Sequence, residues 1–384
     1  MEDNKKKIRY ICYYNRDGLY NKRQSFPAAE TKIDYVVSAL VECGYQVELI
    51  SLSMVTAPNF LFSKRQKHII DNNISLLYFC SFGCCQSLFL RTLSRILTFI
   101  DFIIWFFQNV QRGEQIFVYH SLGYSALLYW LFRLKHCVVV GEIEEIYQDV
   151  QKFSSYKARS EYRFINSCDK YIFPTKLLNE KLNPQKKPFI IIHGTYLINE
   201  QIVDKFQDGK IHVVYAGTFD IRKGGAAAAA AAEFLPSNYH IHVCGFGSQQ
   251  EIEYITQLVS HISSISKAEI SYEGLKRGKE YTQFIQRCHI GLSTQDPSAA
   301  FNSTSFPSKI LSYMSNGLQV VSIQINAIES SVIGKYLYYY TEQTPQQIAN
   351  AIRKVYLNNT LEPRAVLSSL HKEVVRNMQS LLQQ

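Results

Sequence analysis

Short, continuous apolar runs recur along this chain, such as CVVVG at 137–141 and FIIIHG at 189–194, and they restrict its fold more than any other feature. A strand that is apolar at every residue, rather than at alternate ones, has both faces covered, and helices are the usual cover. In the first half strand signals fall at 8–14, 46–51, 74–80, 116–120, 137–141, 170–174 and 189–193. Helical stretches at 31–43, 86–110, 122–134 and 155–168 lie between them. A second series follows the weakly patterned YLINEQIVDKFQDGK, with strands at 211–216, 240–244, 269–272, 289–293, 319–323 and 336–340. Its helices are expected at 225–234, 248–262, 279–287, 307–315 and 345–357. This alternation marks parallel sheets built from right-handed βαβ units. The expected fold class is α/β, two doubly wound Rossmann-like domains facing a central cleft, over residues 1–200 and 201–360 of the 384. A polar helix in 361–384 is expected to pack back on the first domain.

Composition removes several classes. The nine cysteines include no C-x-x-C spacing, which disfavours disulfide and metal readings and suits a reduced, cytoplasmic protein. MEDNKKKIRYICYY runs from lysines straight into a strand pattern, without the apolar core of a signal peptide. The greasiest segment, QSLFLRTLSRILTFIDFIIWFFQNV at 86–110, is broken by Arg91, Arg95 and Asp101, so a buried or membrane-surface helix is expected rather than a span. Residues 1–200 carry 25 Lys+Arg against 18 Asp+Glu, a net of +7, and the remainder of the 41 and 32 leaves +2 beyond residue 200. The basic half suits anionic lipid or a phosphorylated acceptor, or is merely a solvated surface. No aromatic-basic motif accompanies the charge, so nucleic acid is not an expected partner.

Three stretches carry candidate chemistry. In IHVVYAGTFDIRKGGAAAAAAA a buried strand ends at Gly217, and a loop with Arg222 and Lys223 leads into an alanine-rich helix start. Free amides at such a start, beside two cations, make an anion site; a plain surface loop packed through alanine is the other reading. YHIHVCGFGSQQEIEYI is a second strand–glycine–helix unit, whose turn contributes Gly245 but lacks the third glycine of a dinucleotide fingerprint. In STQDPSAAFNSTSFPSKILSYMSNGLQVVS a polar loop precedes a helix, with Ser305 expected as cap and Pro307 in the first turn. Lys309 there would point toward any anion at the helix start.

The order YAGTFDIRKGG, HVCGFGS, ISYEGL, FPSKILSYMSNGLQVVS resembles the C-terminal domain of GT-B glycosyltransferases over roughly 210–357, and is most similar to family 4 (glycosyl transferases group 1), retaining enzymes that use nucleotide-sugar donors. The N-terminal half is similar only loosely. The resemblance implies that Lys223 neutralises the donor diphosphate and that Gly217, Gly245, Gly274 and Leu275 line the donor side. Thr218 stands where the family has arginine, with Arg222 as a substitute. The family's two glutamates, with seven residues between them, are replaced by Thr304 and Ser312. Donor-sugar work then passes to a neighbour such as Asp296 or Asn302, or is lost, while Ser308 and Lys309 fall where backbone amides meet the phosphates. The resemblance implies a catalytic role for His120, near the reacting sugar, and acceptor-side roles for Gly18, Glu142 and Glu144.

The expectation is a retaining transfer of a sugar from a nucleotide sugar to a glycan or lipid-linked acceptor in surface polysaccharide assembly. No cofactor and no metal is expected, since lysines serve the leaving group. Peripheral contact with the inner face of a membrane is expected. A non-catalytic GT-B scaffold, lacking the carboxylate pair, is the alternative.

Overall fold

In the computed structural model, residues 6–15, 23–56, 61–83, 87–150, 153–298, 304–355, 357 and 362–384 are described. The chain divides into two units, Met1–Pro174 with Leu178–Ile192 and Glu373–Gln384, and Thr175–Leu177 with His193–Lys372.

The first unit is built on an eight-stranded sheet. In spatial order its strands are Phe189–Ile191, Lys170–Phe173, Val138–Glu142, Gln115–Tyr119, Lys7–Cys12, Gln46–Ser51, Ile74–Tyr78 and Gln66–Ile69. All pair in parallel except the last, which runs antiparallel to Ile74–Tyr78 at the edge. That edge strand and the small pair Leu61–Ser63 with Ser81–Gly83 escape the sequence pattern. The residues of 61–69, LFSKRQKHI, are too polar to read as buried strand. Ile11, Ile50, Phe79, Val118 and Val139 pack against the surrounding helices in one core.

The helix Leu88–Asn109 serves two masters. Ser94, Thr98, Phe102, Trp105 and Phe106 are buried, and Phe102 meets Phe79 edge-on at 5.3 Å between ring centres. Its opposite stripe, Phe89, Leu93, Ile96, Ile100, Ile104 and Phe107, is exposed at helical spacing. Arg91 and Arg95 lie exposed on the same helix. Among the described residues no helix is long and apolar enough to cross a membrane.

The second unit carries a six-stranded, wholly parallel sheet in the spatial order Glu269–Gly274, Tyr239–Phe246, Ile211–Thr218, Ile290–Ser293, Gln319–Ile323 and Tyr338–Tyr340. Sequence order reverses between Ile211–Thr218 and Ile290–Ser293, and doubly wound sheets bind ligands outside the strand ends at such a reversal. The alanine run is core. Ala228, Ala229, Ala231 and Ala232 are fully buried, packed with Ile241, Ile348 and Ile352. Small side chains allow that close approach. The α-helix covers only Gly225–Ala230, and a tighter turn at Ala231–Phe234 finishes it before Pro236.

The last helix, Pro363–Gln383, begins in the second unit and ends in the first. Arg364 donates to the carbonyls of Ser315 and Asn316, and the Leu381 carbonyl accepts from the buried Lys170 ammonium at 2.9 Å.

Candidate functional site

Three segments converge at the reversal point of the second sheet. The strand Ile211–Thr218 delivers Gly217, and the turn after it doubles back through Gly224, whose φ of +73° places it in the left-handed region. A Cβ on Gly224 would lie 1.6 Å from the Thr294 carbonyl oxygen. The backbone therefore rests directly on the end of the neighbouring strand. Thr294 Oγ1 donates to the Gly224 carbonyl at 2.9 Å, Gln343 donates to the Thr294 carbonyl, and the Asp296 amide donates to the Arg222 carbonyl at 2.8 Å. The basic turn is thus fixed from below.

The third segment is the helix Ser308–Ser315. Pro307 occupies its cap position rather than its first turn, and its own side chain makes no cap hydrogen bond. Proline has no hydroxyl to offer to the first-turn amides, where the helix has its positive end. Tyr313 holds the helix to the sheet: its hydroxyl accepts from the Ala216 amide at 2.8 Å, and its ring occupies the space that a Cβ on Gly291 would need.

Lys309, in the first turn, is the most informative side chain of the molecule. Its ammonium is wholly buried and no described atom accepts a hydrogen bond from it. It lies 4.2 Å above the Tyr215 ring, and a Cβ at Gly217 would come within 2.9 Å of it, so glycine leaves the room it needs. Burial, reinforced by the nearby Lys223 charge, pushes it down to about 7. A buried cation without a counter-charge is costly, and sites tolerate that where an anionic ligand supplies the charge.

The remaining donor-side candidates take distinct places. Arg222 is exposed and forks onto Asp220, its Nη2 2.6 Å from Oδ2. Thr218 accepts from Tyr215 Oη at 2.7 Å through its carbonyl. Gly245 stands opposite Gly217 in register, and a Cβ there would strike the Gly217 carbonyl at 1.9 Å. Gly274 ends its strand at φ +67°, followed by the exposed Leu275. Ser312 Oγ is 3.3 Å from the Tyr281 hydroxyl, and the Thr304 carbonyl accepts from Thr175 at 2.6 Å. The Asp296 carboxylate accepts from the Ser298 amide and hydroxyl, and these bonds hold it below the usual carboxylate range. Ser308 is the first residue of the helix, directly before Lys309. Gly18 and Asn302 lie outside the described residues.

In the first unit His120 follows the strand Gln115–Tyr119, with its amide bonded to the Glu142 carbonyl at 2.9 Å. Its ring stacks on Phe164, and burial pushes it down to about 3, so it is a neutral imidazole. The buried Glu161 carboxylate lies 3.8 Å from Nε2. Glu142 is fully buried and accepts from the Tyr10 hydroxyl. Burial is the largest influence on it; the Lys32 ammonium opposes that, the Glu144 charge adds to it, and its carboxyl is pushed up to about 8. Glu144 pairs with Lys32 at 3.0 Å. Together Tyr10, Lys32, Glu142 and Glu144 form a buried polar cluster at the carboxyl end of the sheet.

Sequence reasoning missed Tyr215, Thr294, Tyr281 and Gln343. Tyr215 reads as core in a continuous strand, and the others act through contacts over 31 to 70 residues that no local pattern reveals.

No protein-family model matches this chain, and no curated protein does. Solved structures do. HepE of Anabaena, in complex with UDP and glucose, superposes with a TM-score of 0.60 at 12% identity, over 98% of this chain and all of that one. The pneumococcal O-GlcNAc transferase GtfA, in complex with UDP and GlcNAc, gives 0.60 at 11% identity over 99% of each chain. The UDP-forming α,α-trehalose-phosphate synthase of Burkholderia vietnamiensis gives 0.55 at 10%, over 98% of this chain and 96% of that one. The chain has the GT-B fold, two doubly wound parallel-sheet domains in tandem.

Proposed function

We propose that this protein is a glycosyltransferase using a nucleotide-sugar donor, with the donor diphosphate held on the second unit. The observation that carries the reading is the buried Lys309 ammonium, without a hydrogen-bond partner among the described residues, in the first turn of a helix whose cap position is Pro307, with the Lys223 charge helping to depress it. A diphosphate supplies the missing counter-charge, and the helix amides and both lysines stabilise the charge that develops as it leaves. UDP in the solved complexes of HepE and GtfA supports a nucleotide at this fold. Transfer proceeds with retention, and the departing phosphate takes the acceptor proton. The acceptor is a glycan or lipid-linked glycan carried by the first unit.

The experiment is turnover. Purified protein with UDP-, GDP- or ADP-sugars releases nucleoside diphosphate from one class, faster with acceptor lipid extracts, and Lys223→Ala or Lys309→Ala lowers the rate about 100-fold or more, the scale for a lost transition-state charge contact. Binding without turnover would favour the scaffold reading, which the hydroxyl residues Thr304 and Ser312 at the carboxylate positions support.

The exposed stripe of the helix Leu88–Asn109, flanked by Arg91 and Arg95, supports seating on an anionic lipid surface. In sedimentation with vesicles, wild type binds phosphatidylserine-containing vesicles in preference to neutral ones. Ile96→Glu with Ile100→Glu abolishes that binding and leaves the melting temperature unchanged, since both side chains already face water. Equal binding by the double variant would remove the lipid reading.

A further inference from the structure

The face of the second sheet opposite the alanine helix gathers three histidines that the donor site does not use. His240 and His242 are two residues apart on one strand and therefore share a face, while Ile241 and Val243 between and beyond them enter the core. Register sets His212 opposite His240 on the neighbouring strand, and Glu269 and Ser271 opposite His240 and His242 on the other side. One ring nitrogen from each histidine lies within 4.8 Å of the other two.

For His212 and His242 the nitrogens divide into an inner and an outer set. His212 Nδ1 and His242 Nε2 face each other across 2.8 Å. Their outer nitrogens each meet a carboxylate, His212 Nε2 with Asp208 at 2.8 Å and His242 Nδ1 with Glu273 at 2.8 Å. His240 has Nδ1 3.3 Å from Glu269 and Nε2 2.8 Å from the Ser271 hydroxyl, which also donates to Glu273. A carboxylate behind a histidine is the usual support of a metal-ligating imidazole, since it fixes the ring and its tautomer. Here every one of the three rings has its own.

Phe206 covers the cluster, with its ring stacked 4.2 Å from His212 and 5.5 Å from His242, and Phe284 meets His242 edge-on. His240 is the least buried of the three. Strand rise separates His212 from Gly217, five residues on, by about 16 Å, so the rings lie apart from the basic turn, and Glu273, directly before Gly274, is the member nearest the donor side.

We propose that His212, His240 and His242 bind one divalent transition-metal ion of the zinc class, with Asp208, Glu273 and Glu269 as their carboxylate supports. Imidazole suits zinc and its neighbours, and soft or hard cations are poorly served by this set. Zinc–nitrogen bonds place tetrahedral ligand nitrogens about 3.3 Å apart. The inner pair parts by only a few tenths of an ångström to admit the ion. With an apolar cover and position remote from the donor turn, the metal ties two central strands together.

The test uses the full chain without a polyhistidine tag, stripped by a chelator and titrated with Zn2+ against a chromophoric competitor. One equivalent binds per chain and raises the melting temperature; Co2+ gives the intense visible bands of a tetrahedral site. His212→Ala and His242→Ala lose the equivalent. Asp208→Asn and Glu273→Gln, which keep the strands and the rings, bind about 10–100-fold more weakly. His261→Ala, on an exposed helix face, binds as wild type does. Failure of wild type to hold Zn2+ against the competitor, or unchanged affinity in both carboxylate variants and the histidine variants, overturns the site.

Discussion

Replacing Lys309 by methionine stabilises this protein and removes its nucleotide binding. The ammonium is wholly buried over an aromatic ring, without a hydrogen-bond acceptor among the described residues. In the folded chain it is held down to about 7 from the ordinary 10.5. Since the folded value is the lower one, the unfolded chain binds more protons between those limits. The cost to the fold is therefore full below about pH 7, declines as pH rises, and is gone above about 10.5. Methionine occupies similar volume without the charge, and at pH 7 the gain is roughly 2–4 kcal/mol. That corresponds to a melting temperature higher by on the order of 5 °C. The difference between wild type and variant shrinks as pH is raised from 7 toward 10, which calorimetry at several pH values follows. A variant that melts lower would show that the ammonium has a stabilising partner.

Gly224→Ala is expected to act in the opposite sense on stability and the same sense on binding. The position has φ +73°, and its Cβ would meet the Thr294 carbonyl oxygen at 1.6 Å, backbone against backbone. Neither atom belongs to a side chain that could swing away. The turn must lift, which breaks the bond from Thr294 to the Gly224 carbonyl and loosens Lys223 beside it. Left-handed strain and the clash together cost about 3 kcal/mol or more. Gly44→Ala is the control, because Gly44 has φ +89° with nothing within 4 Å of its Cβ, and it costs about 1 kcal/mol of strain alone. Denaturant unfolding of both variants separates clash from strain; equal losses would mean that the turn is free to move.

The sequence speaks most clearly where one segment carries its own signal. Continuous runs such as IHVVYAG mark buried parallel strands, and the alanines of 226–232 are legible as a helix packed close. Lys309 stands out in FPSK because a proline and a serine announce a helix start. The Ser305 cap is expected from the same residues, whereas the cap position itself falls on Pro307. Arg222 looks like a second site cation, but Asp220, only two residues before it, holds the guanidinium. The polar edge strand Gln66–Ile69 has no alternating pattern to betray it.

The histidine cluster shows the other limit. YHIHV declares two histidines on one strand face, a signal visible in the sequence and easily read as surface. The third ligand comes from a strand 28 residues earlier, and only the register His212↔His240 brings it beside them. Glu142 is similar. GEIEEIYQD reads as an acidic loop, whereas burial makes its first glutamate a carboxyl pushed up to about 8.

The central claim, that Lys309 and Lys223 hold a nucleoside diphosphate, is tested most directly by isothermal titration of UDP, GDP and ADP at pH 7.5, in two buffers of different ionisation enthalpy. A diphosphate beside Lys309 restores its protonated form, so one nucleotide binds with uptake of part of a proton from solution, and its affinity falls as pH rises above about 7. Lys223→Ala weakens this binding, and Lys309→Met abolishes both the binding heat and the proton uptake. Absence of binding by all three nucleotides, or binding that survives Lys309→Met with proton uptake unchanged, would contradict the account.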